Sequence, residues 1–302
     1  MKNFFRLIRW PNLLMMLLLQ YLLRYCMAAP ILEMQNLGLL LTDLEFFILS
    51  FSSILIAAGG YIINDIEDIH IDRINKPDRQ IITQSISETS AFNIYLMLTT
   101  AGVLGAFYLS AIKGYQYVGM VYALGSGLLY FYSTSYKCIP FLGNFIISFL
   151  AAGFVYLVVM NEPFARKDEA VMLMTGAFMF FSFTTTLLRE FIKDIEDVEG
   201  DLSCDCQTMA NVLGIKTAKW IAWVLSLILL GTIILSQVIT QQWESLFPFL
   251  YIVFFVDFPL LYLSVILFKA TQKEDFRRAG NWLKLAMFTA TISLVVFYYS
   301  FK

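Results

Sequence analysis

The stretch Asn64-Asp65-Ile66-Glu67-Asp68-Ile69-His70-Ile71-Asp72-Arg73-Ile74-Asn75-Lys76-Pro77-Asp78-Arg79 is an acidic cluster followed by a basic one, directly after an apolar run. The acidic half recurs as Lys193-Asp194-Ile195-Glu196-Asp197-Val198-Glu199-Gly200-Asp201, again directly after an apolar run. The aspartates keep the same spacing in both copies. This recurrence predicts a chain built from two related halves.

Composition places the chain in a membrane. Of its 302 residues, 59% are hydrophobic and 15% are charged, and the mean hydropathy is +0.71. A bilayer's hydrocarbon core takes about 20 apolar helical residues to cross. Nine apolar runs of about that length predict an all-α integral membrane protein, with spans at 11–30, 44–64, 91–112, 116–134, 141–160, 170–192, 217–239, 246–268 and 280–300.

The distribution of lysine and arginine predicts the orientation of these spans. Most of these residues lie in segments on the same side as the N-terminus, which indicates a cytoplasmic N-terminus and a C-terminus on the opposite face. The acidic clusters follow spans two and six, so both emerge on the cytoplasmic face, in motif loops at about 65–90 and 193–216. We expect two four-helix repeats plus one further helix, with the two clusters facing each other.

The acidic clusters have the chemistry of a divalent-cation site. Asp65, Asp68 and Asp72 are spaced so that a continuous helix would place them on one face. Carboxylates crowded in this way repel each other, and Mg²⁺ prefers oxygen ligands from carboxylates and phosphates. We predict a site for Mg²⁺ bridged to a diphosphate, with these metal ligands: Asn64, Asp65, Asp68, Asp72, Asp194, Asp197 and Asp201.

Basic residues near the clusters could hold phosphate oxygens. Arg189 and Lys193 end an apolar span, where a charge without a function is costly, and this position favours a role in the site. For the others, the alternative is that they only set membrane orientation. The candidate phosphate ligands are Arg73, Lys76, Arg79, Lys137, Arg189 and Lys193.

The remaining polar features predict no further site. The cysteines, Cys26, Cys138, Cys204 and Cys206, are expected to be solvated loop thiols, without a disulfide framework or a zinc site. Four acidic residues in the outer links are expected to be solvated: Glu33, Asp43, Glu162 and Asp168. Gly200 interrupts the second helical pattern, so Asp201 is expected to lie in a turn.

The two motifs together resemble those of the UbiA superfamily of intramembrane prenyltransferases. The first signature of that superfamily is met by Asn64, Asp65, Asp68, Asp72, Arg73, Lys76, Pro77 and Arg79, and the second by Asp194, Asp197, Gly200 and Asp201. Smaller matches are Arg9-Trp10-Pro11-Asn12, Tyr132-Ser133 to Lys137, and Leu142-Gly143-Asn144. The ordered pair of motifs makes the resemblance specific.

The resemblance implies a single prenyltransferase domain over 1–302, with nine helices around a central cavity open to lipophilic molecules of the bilayer. It implies a Mg²⁺ cofactor, a prenyl diphosphate donor, a lipophilic acceptor and transfer through an allylic carbocation, and we expect no nucleic-acid partner. The expected catalytic residues are Asp68, Asp72, Asp197 and Asp201. Asn12 and Asn144 join the basic residues above as expected substrate ligands.

The second motif leaves the acceptor and part of the chemistry open. It resembles the branch of the superfamily that alkylates geranylgeranylglyceryl phosphate, and an aromatic quinone precursor is the alternative acceptor. The superfamily usually has basic residues after this motif, whereas this chain has Leu202-Ser203-Cys204-Asp205-Cys206. Outside the enzyme class, repeats and intramembrane acids also suit an ion-coupled transporter, and a scaffold without catalysis is a third possibility.

Overall fold

The computed structural model describes residues 2–75, 80–241 and 245–300, and helices are its only extended regular elements within these ranges. Two of the predicted phosphate ligands, Lys76 and Arg79, lie outside the described residues. The α-helices are α1 Lys2–Leu7, α2 Trp10–Leu22, α3 Ala29–Met34, α4 Asp43–Glu67, α5 Ile69–Asn75, α6 Glu88–Lys113, α7 Gln116–Phe131, α8 Leu142–Met160, α9 Pro163–Lys167, α10 Glu169–Glu196, α11 Val198–Ser203, α12 Met209–Leu213, α13 Ile215–Ile239, α14 Leu246–Ile252, α15 Phe258–Lys269 and α16 Lys273–Ser300. Short π-helical segments at Leu23–Ala28, Tyr132–Tyr136 and Val253–Asp257 follow α2, α7 and α14.

Eight helices in the described ranges are long and apolar enough to cross a membrane. They coincide with eight of the nine predicted spans and confirm a multi-pass membrane protein. The remaining predicted span, 116–134, coincides with α7 and the π-helical segment after it, which are not among the eight. Many apolar side chains are exposed, including Leu124 at 68% and Leu173 at 76%, as expected for surfaces that face lipid.

The chain divides into two compact units. Unit 1 contains Met1–Gln20, Leu39–Leu150 and Glu199–Gln207. Within it, α4 packs along α6, where small residues allow a close approach. A Cβ added at Gly102 would lie 2.6 Å from the carbonyl oxygen of Ser52, so a larger residue there would force the helices apart. Leu7, Ile62 and Ile69 belong to the apolar core beside the first acidic cluster.

Unit 2 contains Tyr21–Gly38, Ala151–Val198 and Thr208–Lys302. Its core forms where α10, α13, α15 and α16 pack together, and includes Leu188, Leu229, Leu263 and Leu283. The side chains of these leucines are fully buried. This core includes Leu188, Phe191 and Ile195 of α10, the helix that leads into the second acidic cluster.

The structure corrects the prediction for one acidic residue of the outer links. Glu162 is not solvated: its side chain is 2% exposed and its Oε1 accepts a hydrogen bond of 2.6 Å from Nη1 of Arg24, which is 1% exposed. The sequence did not reveal this partner because the two residues are far apart along the chain. Asp168, by contrast, caps α10, and hydrogen bonds from the backbone of Val171 and the side chain of Gln35 lower the pKa of its carboxyl.

The buried ion pair generates a stability prediction. Arg24→Met or Glu162→Gln should each lower the free energy of unfolding by about 3 to 5 kcal/mol, because the remaining charge is buried without its partner. The double variant should recover much of that loss. The measurement is thermal unfolding in detergent.

The control for this pair is Lys113→Met, which removes the partner of Glu45 in a pair whose side chains are 25% and 19% exposed. It should cost about 1 kcal/mol or less. Equal losses in Arg24→Met and Lys113→Met would contradict a special role for the buried pair.

Candidate active site

The two acidic clusters have the same local structure. Helix α4 ends at Glu67 and Asp68 is its C-cap, with its backbone N–H bonded to the carbonyl of Asn64 at 3.0 Å. Helix α10 ends at Glu196 and Asp197 is its C-cap, with its N–H bonded to the carbonyl of Lys193 at 2.9 Å. A short helix follows each cap, so the described parts of the predicted motif loops contain helices, and the expected continuous helix through the first cluster is interrupted at Asp68.

Asp68 and Asp197 occupy positions where a negative charge is costly. Their residues are 5% and 6% exposed. Each lies at the carboxyl end of a long helix, where the helix dipole disfavours a negative charge. A buried carboxylate in this place is stabilised by a cation or by hydrogen bonds. Both copies of the motif therefore present an acid that favours a positively charged ligand.

In unit 1, Lys137 supplies the positive charge beside Asp68, the C-cap of α4. Nζ of Lys137 lies within hydrogen-bonding distance of both carboxylate oxygens of Asp68. Asn64 donates from Nδ2 to Oδ2 of Asp68 at 2.7 Å. Lys137 directly follows the π-helical segment Tyr132–Tyr136, and its backbone N–H bonds to the carbonyl of Tyr132 at 2.8 Å. The structure thus brings together three residues that the sequence assigned to one site.

Arg9 pairs with a second aspartate of the first cluster. Its Nη2 donates to Oδ1 of Asp65 at 2.6 Å, and its guanidinium lies 4.8 Å from the ring centroid of Tyr61. Burial acts to lower the pKa of Arg9, but the charges of Asp65, Tyr61 and Asp68 and the hydrogen bond to Asp65 together outweigh it, so the pKa lies above its ordinary value. Arg9 also has a φ of +52°, a conformation that costs free energy for a residue with a Cβ.

The segment Glu199–Gln207, which contains the last aspartate of the second motif, belongs to unit 1 with the first cluster. The backbone N–H of Gly200 donates to Oδ1 of Asn75 at 3.0 Å, and Asn75 lies on α5, the helix of Asp72. A Cβ at Gly200 would lie 2.3 Å from Nδ2 of Asn75, so a larger residue there would displace the side chain of Asn75. Asp201 is 4% exposed and lies in α11 rather than in the predicted turn.

The turn after Asp201 is closed by backbone hydrogen bonds and by a disulfide. The N–H of Cys206 bonds to the carbonyl of Asp201 at 2.9 Å, and Asp205 adopts a left-handed φ of +54°, as in a Schellman helix end. Cys206 is 2% exposed and is bonded to Cys138. The prediction of solvated thiols without a disulfide is therefore wrong for these two cysteines, whereas Cys26 and Cys204 are free thiols.

In unit 2, the second cluster has its own basic neighbours. Arg189 is 30% exposed and donates from Nη1 to Oε1 of Glu190 at 2.9 Å. Lys193 lies in the last turn of α10, where the helix dipole favours a positive charge. Asp194 is half-buried in the same turn. The structure thus keeps Arg189, Lys193, Asp194 and Asp197 together at one helix end.

The remaining predicted substrate ligands are less closely tied to the acids. Asn12 donates to the hydroxyl of Tyr61 at 3.5 Å, which places it beside the ring that Arg9 also contacts. Asn144 is 6% exposed near the start of α8, and Arg73 is exposed on α5. Asn75 is a residue of the site that the sequence pattern did not indicate. The glycine of the second motif, Gly200, was the only signal of a close contact, and no sequence pattern identifies the residue that packs against a glycine.

The donor chemistry fits Mg²⁺. Among the described residues, no group of three or more acidic, histidine or cysteine side chains is close enough to hold a metal ion by itself. Mg²⁺ often binds through one or two carboxylates together with substrate phosphates and water. Asp68 already binds a cation, the ammonium group of Lys137. The carboxylates therefore suit an ion that arrives with a phosphorylated substrate.

Comparisons with known proteins agree on one family. A family model described as UbiA prenyltransferase family matches residues 26–298. The digeranylgeranylglyceryl phosphate synthase of Methanosphaera stadtmanae is 29% identical over 246 residues, which cover 80% of this chain and 84% of that protein. The synthase of the same name from Saccharolobus solfataricus is 31% identical over 245 residues, which cover 80% of each chain.

A solved structure shares the fold. The structure of a UbiA homolog from Archaeoglobus fulgidus bound to DMAPP and Mg²⁺ matches with a TM-score of 0.60 and 15% sequence identity. The match covers 96% of this chain and 99% of that chain. The shared architecture therefore extends over nearly all of both chains.

The contact between Gly200 and Asn75 generates a second prediction. Gly200→Ala should lower the free energy of unfolding by about 1 to 3 kcal/mol, because the added Cβ overlaps the amide of Asn75. It should also speed hydrogen exchange in 199–207. The control is Gly127→Ala in α7, where a Cβ has no neighbour within 4 Å. Unchanged exchange in Gly200→Ala would contradict the assigned contact.

Proposed function

The chain belongs to the UbiA prenyltransferase family and is a prenyltransferase, and on this premise we propose its substrates, architecture and mechanism. We propose that it transfers a prenyl group from a prenyl diphosphate to geranylgeranylglyceryl phosphate in a Mg²⁺-dependent reaction. The observation that carries the proposal is the match to synthases of digeranylgeranylglyceryl phosphate over 80% of this chain, at up to 31% identity in the two relatives compared above.

We propose a layout of nine membrane spans around a central cavity, arranged as two four-helix repeats plus one and forming a single prenyltransferase domain. The ninth span is α7 with its π-helical extension. The equivalent helix ends at Asp68 and Asp197 support the repeat. The N-terminus and both motif regions lie on the cytoplasmic face, and the C-terminus lies on the opposite face.

We propose that the two motifs share one diphosphate through Mg²⁺. The metal ligands are Asn64, Asp65, Asp68, Asp72, Asp194, Asp197 and Asp201, and the four aspartates expected from sequence to be catalytic, Asp68, Asp72, Asp197 and Asp201, contact the diphosphate through the metal. The substrate ligands are Asn12, Arg73, Lys76, Arg79, Lys137, Asn144, Arg189 and Lys193. Support comes from the burial of Asp68, Asp197 and Asp201, and from the cation already paired with Asp68. The solved UbiA homolog bound to Mg²⁺ and DMAPP has the same fold.

The mechanism follows from the charges of the donor. When bound by the aspartates of the two motifs, Mg²⁺ would supply positive charge that neutralises the departing diphosphate. Lys137 holds a positive charge beside Asp68, and Arg189 and Lys193 offer donors to phosphate oxygens that do not bridge to the metal. The bond between the allylic carbon and the diphosphate oxygen breaks with its electron pair on the diphosphate, which leaves an allylic carbocation. Apolar helix surfaces exclude water until the acceptor captures the cation.

The acceptor supplies the nucleophile. In geranylgeranylglyceryl phosphate this is a hydroxyl oxygen, which forms a new bond to the prenyl carbon and passes its proton to the released diphosphate. An aromatic quinone precursor would supply a ring carbon instead. The names of the relatives favour the lipid phosphate. Because the chain belongs to an enzyme family, we favour the prenyltransferase over the transporter and scaffold alternatives.

The proposed metal site generates a third prediction. Asp68→Asn and Asp197→Asn should each lower kcat/KM for the prenyl diphosphate by about 100-fold or more, because each removes charge at the developing diphosphate anion. The half-saturating Mg²⁺ concentration should rise in both variants. The measurement is transfer of isotope-labelled geranylgeranyl diphosphate over a range of Mg²⁺ concentrations.

The control for these variants is Glu33→Gln, which neutralises an exposed acid outside both motifs and should leave the rate unchanged. Transfer that needs no Mg²⁺, or that survives both aspartate substitutions, would count against the proposed site.

The acceptor is tested separately. Purified protein should prenylate geranylgeranylglyceryl phosphate and leave hydroxybenzoate and dihydroxynaphthoate acceptors unmodified under the same conditions. Mass spectrometry of the extracted lipids identifies the product. Prenylation of an aromatic acceptor alone would replace the proposed substrate while keeping the reaction class.

A further inference from the structure

We propose that the Cys138–Cys206 disulfide is a positioning element of the diphosphate site. It fastens the turn after Asp201 to the residue that follows Lys137, and so holds one carboxylate of the second motif in register with the Lys137–Asp68 pair. The inference rests on the proposed function, since it deepens the account of that site. All of its residues lie within unit 1.

Cys138 is fixed close to the first acidic cluster. It directly follows Lys137, whose ammonium group pairs with both oxygens of Asp68. The backbone at Lys137 is also confined by Gly143, where an added Cβ would lie 2.8 Å from the carbonyl oxygen of Tyr136 and 3.0 Å from Cα of Lys137. A bond to Cys138 therefore acts on a segment that is already fixed beside Asp68.

Cys206 is fixed close to the last aspartate of the second motif, Asp201. Its N–H bonds to the carbonyl of Asp201, and the left-handed backbone at Asp205 brings the chain back to make this bond. Cys206 is thus attached to Asp201 through one short turn. The Cα atoms of Cys138 and Cys206 are 4.7 Å apart, although 68 residues separate them in sequence.

The ion pair of Asp68, the disulfide and the hydrogen bond of Gly200 form a closed ring of contacts that includes Asp68 and Asp201. From Asp68 the ring runs through Lys137 and the disulfide to the turn after Asp201. It returns through the hydrogen bond between Gly200 and Asn75 to α5, the helix that starts beside Asp68. The disulfide is the one covalent link between the two sides of this ring, apart from the continuous chain itself. The hydrogen bond between Gly200 and Asn75 is a second, non-covalent attachment of the segment 199–207.

Charge explains why a covalent link suits this turn. The segment 199–207 contains Glu199, Asp201 and Asp205 and has no lysine or arginine. It belongs to the same unit as Asp65, Asp68 and Asp72. Like charges in neighbouring segments repel, and no basic side chain of the turn offsets the repulsion. A covalent bond holds the turn in place regardless of charge.

The test compares reduced and oxidised enzyme with single-cysteine variants. Tris(2-carboxyethyl)phosphine reduces the bond to two thiols and becomes the phosphine oxide, and the exposed Cys138 gives it access. Reduction of the wild type should raise KM for the prenyl diphosphate about tenfold with a smaller change in kcat, because a misplacement of about 1 Å can cost up to about 100-fold. Reoxidation should restore KM.

The variants separate positioning from general stability. Cys138→Ala should match the reduced wild type and no longer respond to the phosphine. Cys204→Ala, which alters a free and exposed cysteine in the same turn, should match the oxidised wild type. All rates are measured below the unfolding temperature of every variant. A lower unfolding temperature with unchanged KM would show a structural bond only and would overturn the inference.

Two measurements need no catalysis. Peptide mapping should recover a linked pair containing Cys138 and Cys206, and hydrogen exchange in 199–207 should quicken in Cys138→Ala while exchange in α13 stays the same. If every form fails to transfer a prenyl group, the proposed function falls. The positioning inference then stands or falls with the exchange in 199–207, so the two failures are distinguishable. Absence of the linked pair overturns the inference directly.

Discussion

A buried carboxylate at the carboxyl end of a membrane helix requires a positive charge, and this requirement organises the candidate site. Asp68 and Asp197 are both buried caps of long helices, and the helix dipole and the loss of water both make a negative charge costly at such a position. Lys137 meets the requirement at Asp68. The aspartates of each motif repel one another, and each bound cation offsets part of that repulsion. The motifs are therefore suited to a cation that arrives with a diphosphate.

The sequence predicted what depends on local pattern. Apolar runs predicted the membrane helices, because length and hydropathy suffice for that inference. The repeated aspartates predicted the family, and the family match confirms it. Asp68 and Asp197 are C-caps of α4 and α10, and the sequence did not show that the long helices end there. The positions of the helix ends depend on packing that no single motif encodes.

The errors share one physical cause, which is contact between residues distant in sequence. Glu162 was expected to be solvated because its partner Arg24 lies on another helix. The link between Cys138 and Cys206 was missed because 68 residues separate the two cysteines in sequence and no spacing pattern marks them as a pair. Asp201 was expected in a turn because Gly200 weakens a helix. The structure shows that this glycine serves instead to admit the side chain of Asn75.

The central claim is that acids from both motifs bind one Mg²⁺-bridged diphosphate. The most direct measurement is an experimental structure with Mg²⁺ and a non-reactive prenyl thiodiphosphate analogue. The account predicts carboxylate oxygens of Asp68 and Asp197 at about 2.1 Å from Mg²⁺ ions that bind the same diphosphate. A diphosphate bound away from either aspartate, or held without Mg²⁺, would contradict the account.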